Sequence, residues 1–216
     1  MASKKQVETF VGRMARLAEE PGLKKGERTR RQLKLAAAQC LETSTLGELG
    51  MDQIAAIAGV SRPTIYLYFR SVDDLTREVL SDFREMTLDV LAQARVSSNV
   101  EESIHQTNVA YVEHYARNSA LMERVRELMS KDPEILLDRQ RVNSLWTRKI
   151  LSRVKKAGTS DVTEQALELR IHCLGSMVDD VLREAFVVRN PAFALANVDS
   201  EAFAHELTAI WKRVLL

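Results

Sequence analysis

The chain has 216 residues, of which 45% are hydrophobic and 28% charged, and its formal net charge is +1. This is the composition of a folded globular protein, and it excludes a chain that is disordered throughout. The 4 Pro and 8 Gly are about half the usual share, which favours long helices. The longest stretch without Lys, Arg, Asp or Glu runs only from Ser103 to Val112, whereas a membrane-spanning helix needs about 20 apolar residues. We therefore expect no transmembrane helix and, because charges interrupt any signal-peptide pattern near the N terminus, a cytoplasmic location.

The small net charge is the sum of unequal parts. Residues 1–23 carry 4 basic and 3 acidic side chains, residues 24–71 carry 8 and 4, and residues 72–216 carry 19 and 23. A basic part joined to a larger acidic part is expected when one domain meets phosphate and the other does not. The sequence therefore predicts three parts with these bounds, the first of them an N-terminal extension that is at least partly helical.

Apolar residues spaced at i, i+3, i+4 and i+7 predict an all-α fold of about nine to ten helices, and no alternating strand pattern occurs. The helices are predicted at residues 7–18, 26–43, 51–58, 62–69, 72–96, 100–117, 119–130, 133–157, 162–188 and 199–215. The first helix is amphipathic and ends before Pro21 and Gly22, and we expect it to pack on the domain that follows. A helix on a membrane surface, a helix for a partner and an unstructured tail are the alternatives for this segment.

Two of these helices, at residues 51–58 and 62–69, are short and share the turn Gly59-Val60-Ser61. Gly59 supplies the positive φ that a sharp turn requires. Ser61 is positioned to cap the second helix, and Pro63 lies in its first turn, where a missing N–H costs nothing. The apolar residues that line one side of the pair are Ile54, Ala55, Ala58, Val60, Ile65 and Phe69. This pattern predicts a helix-turn-helix.

The outward residues of the second helix suit the major groove of DNA. Arg62 can bind guanine, Thr64 can meet phosphate or thymine, and tyrosine hydroxyls can donate to phosphates. The candidate DNA-binding residues, which include the basic start of the preceding helix, are Arg28, Arg30, Arg31, Ser61, Arg62, Pro63, Thr64, Tyr66, Tyr68 and Arg70. Three roles stay open: Arg62 can contact phosphate or solvent instead, Tyr66 can pack its ring on the first helix, and the basic start can be a solvated helix end.

The stretch from Asp52 to Ser71 reads Asp-Gln-Ile-Ala-x-x-Ala-Gly-Val-Ser-Arg-Pro-Thr-Ile-Tyr-x-Tyr-Phe-x-Ser. Over residues 28–80 the chain resembles the DNA-binding domain of TetR/AcrR transcriptional regulators. The sequence from Ser61 to Phe69 is similar to that of the actinobacterial ethionamide-resistance type of repressor. The resemblance implies a homodimer whose last two helices form a four-helix interface. It also implies an inducer pocket in the C-terminal domain of each subunit.

Two positions differ from the residues that this family usually has. Val72, followed by Asp73 and Asp74, stands where a Lys commonly binds phosphate, so one phosphate contact is in question. Gly50 stands where a Thr or Ser commonly caps the first helix of the motif, so we expect a weaker cap there.

Aromatic and Met side chains at helical spacings in the C-terminal part can form the apolar wall of a ligand cavity, with Asn side chains to orient the ligand. The candidate ligand-binding residues are Phe83, Met86, Asn108, Tyr111, Tyr115, Met122, Met129, Asn143 and Trp146. The plainer interpretation is that they are ordinary core residues. In the same part, Asp179 needs a partner if it is buried, and Arg183 at i+4 is the expected one.

Two apolar stripes on the last two helices are longer than one subunit needs to bury, which favours a homodimer, although packing within the monomer is the alternative. The stripes are Ala166, Leu169, Cys173, Met177 and Val181 with Phe203, Leu207, Ile210, Trp211 and Val214. Cys40 and Cys173 are expected to be reduced, buried thiols, because both fall in apolar helical patterns. The four His residues have no metal-ligand spacing, and no catalytic or cofactor motif occurs, so we expect neither a metal, a cofactor nor an enzyme.

Together these features predict a DNA-binding transcriptional regulator with a helix-turn-helix domain over residues 24–71 and a ligand-binding and dimerisation domain over residues 72–216. The favoured form is a homodimeric repressor that a small apolar ligand releases from its double-stranded DNA operator. The alternative is a DNA-binding regulator without a small-molecule inducer, controlled by its abundance or by a partner protein.

Overall fold

The computed structural model describes residues 8–94, 97, 99–158 and 162–216, and this part of the chain contains eleven α-helices and no strand. The helices are α1 Phe10–Ala18, α2 Lys25–Thr43, α3 Met51–Ile57, α4 Arg62–Tyr66, α5 Val72–Gln93, α6 Val100–Arg117, α7 Ser119–Lys131, α8 Pro133–Ala157, α9 Glu164–Arg183, α10 Leu195–Val198 and α11 Ser200–Leu215. The predicted all-α class is confirmed.

Eleven of the twenty predicted helix ends coincide with the observed ones, and the other nine differ by one to five residues. Local capping explains the clearest differences. α1 begins at Phe10 because the Thr9 hydroxyl accepts a hydrogen bond from the Gly12 amide at 3.1 Å. α9 ends at Arg183 and is followed directly by a π-helical segment, Glu184–Val188. This segment ends at Arg189, whose φ is +58°. The short helix α10 carried no sequence signal. The helix ends predicted at residues 7 and 96, and parts of the breaks predicted at 97–99 and 158–160, lie outside the described residues.

The chain forms two compact units. Of the described residues, those within 8–89 and 120–128 form unit 1, and those within 90–119 and 129–216 form unit 2. The sequence predicts a boundary after residue 71, whereas α5 as far as Asp89 belongs to unit 1. Phe83 of α5 meets Phe10 of α1, and Glu78 and Asp82 of α5 pair with Lys34 of α2, so this part of α5 packs with the N-terminal helices.

The N-terminal extension forms α1, which packs on the helices of unit 1. Phe10 and Met14 are buried, and the Phe10 ring meets the Phe83 ring of α5 edge-on with centroids 5.3 Å apart. One turn after Phe10, Arg13 pairs with Asp89 at 3.4 Å. The extension therefore contributes side chains to the core of unit 1.

Charged residues join α2 to α5 beside this core. The Arg30 guanidinium lies 4.6 Å from the centroid of the Phe69 ring and pairs with Glu78. Lys34 pairs with Glu78 at 3.0 Å and with Asp82, and its side chain is only 12% exposed. Since Phe69 lies three residues after the end of α4, these contacts fix the end of the motif against α5.

Unit 2 has its core between α6, α9 and α11. Asn108 is buried and donates to the Thr208 hydroxyl at 3.1 Å, and His114 is fully buried on the same helix. The buried face of α9 carries Leu167, Ile171, Leu174, Val178 and Leu182. Cys173 lies off this face and is exposed, so its predicted burial is wrong, whereas Cys40 is buried in unit 1, where desolvation raises the pKa of its thiol.

Replacement of Phe10 by Ala tests whether α1 is part of the fold. It should lower the free energy of unfolding by about 3 kcal/mol, because it removes a fully buried ring from the contact with Phe83. The matched control is Arg13→Ala, which removes a partly exposed ion pair from the same helix and should cost less than about 1 kcal/mol. Urea denaturation followed by circular dichroism measures both, and equal losses would contradict the packing of α1.

The pH dependence of stability should report the burial of His114. Burial lowers the pKa of His114 to about 4, so the unfolded chain takes up this proton at a higher pH than the folded protein does. The contribution to the free energy of unfolding is complete above the unfolded pKa and declines as the pH falls towards 4. Between pH 7 and pH 4 the wild type should lose about 3 kcal/mol more than His114→Gln in urea denaturation. An imidazole signal of His114 that titrates near pH 6.5 in NMR spectra would contradict this.

Candidate nucleic-acid interface

The turn between α3 and α4 has the geometry that the sequence predicts. Gly59 has φ +67°, and its amide donates to the Ala56 carbonyl at 3.2 Å while the Val60 amide donates to the Ala55 carbonyl at 3.0 Å. This is a Schellman motif, which requires a residue in the left-handed region and therefore favours glycine. Ile54 and Ile65 are fully buried on the inner sides of the two helices. The turn and these two side chains together fix the orientation of α4.

α4 is short and presents several side chains to solvent. Arg62, Pro63 and Tyr66 are exposed, and Thr64 and Tyr68 are half-buried. The Arg62 guanidinium pairs with Asp52 of α3 at 3.2 Å, but both side chains are about two-thirds exposed, so the pair contributes little and can open.

Ser61 begins α4 in a different way from the one expected. Its backbone carbonyl accepts from the Thr64 amide at 2.9 Å, whereas its hydroxyl is 2.8 Å from the Thr64 hydroxyl and does not cap the helix. The expected side-chain cap is therefore wrong. The two hydroxyls form a polar pair on the exposed side of the helix.

Leu67 is the residue of this region that the sequence interpretation missed. Its side chain is 81% exposed, directly after the last residue of α4, and Tyr66 beside it is 46% exposed. A signal for it existed, since a Leu two residues after a core Ile cannot lie on the same face of a helix.

Some of the cations in the first turns of α2 are paired with carboxylates, and others are not. Arg31 donates to Glu20 at 2.6 Å, to Glu27 at 2.8 Å and to the Leu17 carbonyl at 2.7 Å, and the bond to Glu20 is the main reason that its pKa is raised. Arg30 is held by Phe69 and Glu78, as described above. Both residues were predicted to contact DNA, but in the structure they join elements of unit 1.

Three other cations near the start of α2 are exposed and have no carboxylate partner among the described residues: Lys24, Lys25 and Arg28. The Tyr68 hydroxyl lies 3.6 Å from the position that a Cβ atom on Gly26 would occupy. The start of α2 is therefore adjacent to the end of α4. We call Lys24, Lys25, Arg28 and Arg70 the basic rim, because Arg70 is likewise exposed and unpaired in the described structure.

The start of α5 carries acidic groups where a phosphate-binding Lys is common. The Asp74 carboxylate accepts from the Arg70 amide at 3.0 Å, and the Asp74 amide donates to the Ser71 hydroxyl at 3.1 Å. Asp73 adds a second carboxylate in the first turn, and Val72 adds no charge. Gly50 likewise provides no side-chain cap for α3, as expected from its lack of a side chain.

The candidate ligand-binding residues fall in both units. In unit 1, Phe83 and Met86 are buried core residues and Met122 is half-buried. In unit 2, Asn108 is bonded to Thr208, Tyr115 is buried with its ring 6.2 Å from those of Tyr111 and Phe186, and Met129 lies 3.8 Å from the Arg139 guanidinium. Trp146 is half-buried beneath the Lys149 ammonium, and Asn143 is exposed.

Asp179 has partners on two other helices. Its carboxylate accepts from the Tyr111 hydroxyl at 2.6 Å and from the Arg139 guanidinium. Burial and the neighbouring carboxylate raise the pKa of Tyr111 well above its usual value. The sequence suggested Arg183 for this role, because only a partner on the same helix can be inferred from spacing.

A cleft of about 570 Å³ lies between α6 and α11 in unit 2. The cleft is lined by Asn99, Glu101, Glu102, His105, His205, Thr208, Ala209 and Lys212. None of these is a candidate ligand-binding residue. Within the described ranges no three His, Cys, Asp or Glu side chains form a group that could hold a metal ion, and no helix is long and apolar enough to cross a membrane.

The two predicted apolar stripes differ in exposure. On α11, Phe203, Leu207 and Trp211 are buried within unit 2. On α9, Leu169 is 64% exposed and Cys173 is exposed. Ile210 of the α11 stripe is exposed. The remaining members of the two stripes are half-buried: Ala166, Met177, Val181 and Val214. The α9 face thus stays open in the monomer, whereas most of the α11 stripe does not.

Residues 35–79 match the family model of bacterial regulatory proteins of the tetR family. Solved structures with the same fold include a TetR-like transcriptional regulator from Rhodococcus sp. RHA1, with 18% identity, a TM-score of 0.64 and coverage of 86% of this chain and 96% of that one. Another is the fatty acid degradation regulator FadR from Bacillus halodurans, with 21% identity, a TM-score of 0.65 and coverage of 87% and 96%. No curated protein matches the sequence. Residues 35–79 are thus similar to the N-terminal helix-turn-helix domain of the tetR family, and the chain has the all-α fold of solved TetR-like regulators.

Proposed function

We propose that the protein is a DNA-binding transcriptional regulator that acts as a homodimeric repressor and leaves its operator when a small apolar ligand binds unit 2. The observation that carries the proposal is the exposed side of α4 beside the unpaired cations of the basic rim. The likeness of Ser61–Phe69 to the ethionamide-resistance type of repressor stays part of this proposal.

Electrostatics support binding to duplex DNA through this side of unit 1. Lysine and arginine side chains without carboxylate partners are free to release counterions from phosphates, whereas Arg30 and Arg31 would first have to leave their own partners. Tyr66, Tyr68 and the Ser61 and Thr64 hydroxyls can donate to the backbone on either side of the groove. We therefore assign the phosphate contacts mainly to the basic rim and these hydroxyls.

A homodimer is supported by the open apolar face of α9. An exposed Leu and Cys on a helix whose other side is fully packed would be covered by the same face of a second copy. Two α4 helices related by such a twofold axis can read half-sites whose centres are about 34–36 Å apart.

Release by a ligand is supported by the half-buried aromatic and sulfur side chains of unit 2. Trp146 and Met129 offer adaptable apolar surface, and Tyr111, Asp179 and Arg139 form a polar group that can orient a ligand. A ligand bound there can act on α4 through α5, a single helix whose residues belong to both units. The ligand must bind the two conformations with different affinity for this switch to work.

The salt dependence of DNA binding tests the role of the basic rim. The double variant Lys25→Ala, Arg28→Ala should bind a labelled duplex more weakly. The negative slope of the logarithm of its association constant against log salt should become shallower by about 2, because two phosphate contacts are lost. Fluorescence anisotropy measures this slope. The control is Arg153→Ala, which removes an exposed cation from α8 in unit 2 and should leave the slope unchanged. Equal slopes for the double variant and the wild type would contradict the proposed interface.

The salt dependence of DNA binding also tests whether Val72, at the start of α5, lies near phosphate. Val72→Lys introduces the cation that TetR/AcrR regulators commonly have here, and it should strengthen binding and make the negative slope steeper by about 1. Val72→Met, which lengthens the side chain without charge, should not. If both variants behave alike, the start of α5 does not face phosphate.

Sedimentation velocity tests the dimer. Wild type should sediment as a dimer at micromolar concentration, and Leu169→Glu should sediment as a monomer, because it buries a charge in the proposed interface. Leu137→Glu on α8, where the Leu is 52% exposed, is the matched control and should stay dimeric. A monomeric wild type, or a dimeric Leu169→Glu, would show that another surface or none is used.

Native mass spectrometry distinguishes the ligand-controlled repressor from the alternative without an inducer. Purified wild type should carry an apolar small molecule whose occupancy falls in Trp146→Ala, and addition of that molecule should weaken DNA binding. Arg148→Ala, at an exposed position on the same helix, should leave the occupancy unchanged. Ligand-free protein whose DNA affinity does not respond to apolar extracts would favour control by abundance or a partner protein.

A further inference from the structure

The side of α4 that points directly away from the core of unit 1 is apolar. Successive residues of an α-helix are rotated by about 100°, so the residues two positions before and two positions after a given residue point to the opposite side. Ile65 is fully buried, and the two positions opposite it are Pro63 and Leu67. Both are exposed, and Leu67 is the most exposed of the large hydrophobic side chains in the described part of the chain.

The backbone keeps Leu67 on the helical path. Leu67 has φ −72° and ψ −21°, and its amide donates to the Thr64 carbonyl at 3.1 Å. Leu67 therefore projects from the same side as Pro63, away from the core of unit 1. We call these two side chains the apolar tip of α4. Arg62 is rotated by only about 60° from the buried Ile65 and reaches back to Asp52, so it lies at the flank of the helix and not at its tip.

The surroundings of this tip favour a polyanion over a protein surface. Thr64 and Tyr66 lie on the two sides of the tip, and Tyr68 connects it to the basic rim. An apolar tip flanked by phosphate-binding groups matches the major groove, whose floor offers one apolar group, the C5-methyl of thymine.

We propose that Leu67, with Pro63 beside it, reads thymine methyl groups on the floor of the major groove, so that each operator half-site contains a thymine whose methyl is required for full affinity. This inference rests on the proposed DNA-binding function and names the base that the site recognises. It assigns sequence reading to the apolar tip and backbone contact to Arg62.

The test removes single methyl groups from the DNA. A duplex that wild-type protein selects from a random library is synthesised with deoxyuridine in place of each thymine in turn, which deletes the C5-methyl and changes nothing else on the base. Wild type should lose about fourfold in affinity at one thymine or two adjacent thymines of each half-site. Leu67→Ala should bind the unmodified duplex more weakly and show no further loss at those positions. Leu67→Met, which keeps an apolar side chain, should retain the sensitivity.

The possible failures are distinguishable. If wild type selects no sequence, the proposed function fails and the inference fails with it. If wild type selects a sequence but no deoxyuridine lowers its affinity, or if Leu67→Ala keeps the same sensitivity, the protein binds DNA and the assignment of Leu67 is wrong. If Leu67→Ala binds the unmodified duplex as tightly as wild type does, the apolar tip serves another partner, and the assignment is equally overturned. Thermal unfolding of Leu67→Ala should match that of wild type, because the side chain is exposed.

Discussion

Burial of Ile65 is the constraint on which the candidate interface depends. α4 has only five residues, so one buried side chain is enough to fix its rotation, and the Schellman turn at Gly59 fixes its direction. Once Ile65 faces the core, Pro63 and Leu67 must face outwards. Phe69 then enters the core at the end of the motif, where Arg30 covers its ring. The outward surface is thus a consequence of how the small core of the motif is packed.

Ion pairs within unit 1 decide which of its cations remain available. Arg30, Arg31 and Lys34 are engaged by carboxylates on neighbouring elements, so they hold α1, α2 and α5 together. The basic rim has no such partners in the described structure, and it lies where Tyr68 links α2 to the end of α4. The excess of basic residues over residues 24–71 therefore combines a structural group with a group suited to phosphate.

The sequence predicted what depends on local periodicity and turn chemistry, and it missed what depends on contacts across the fold. Helix bounds, Gly59 and the buried Ile65 follow from spacing along the chain. The roles of Arg30 and Arg31 could not, because Glu78 and Glu20 become their neighbours only when the helices pack. Asp179 is a parallel case, with partners on α6 and α8. Leu67 differs from these cases, because its outward position does follow from helix geometry once Ile65 is in the core, and only the extent of its exposure required the structure.

Oxidation of side chains by hydroxyl radicals, with and without duplex DNA, tests the central claim most directly, because it measures the exposure of each side chain separately. With saturating selected duplex, the oxidation rates of Leu67 and Tyr66 should fall several-fold, while that of Leu137 on α8 should stay the same. Unchanged rates at Leu67 and Tyr66 under conditions where the protein is fully bound would show that this side of α4 does not meet DNA.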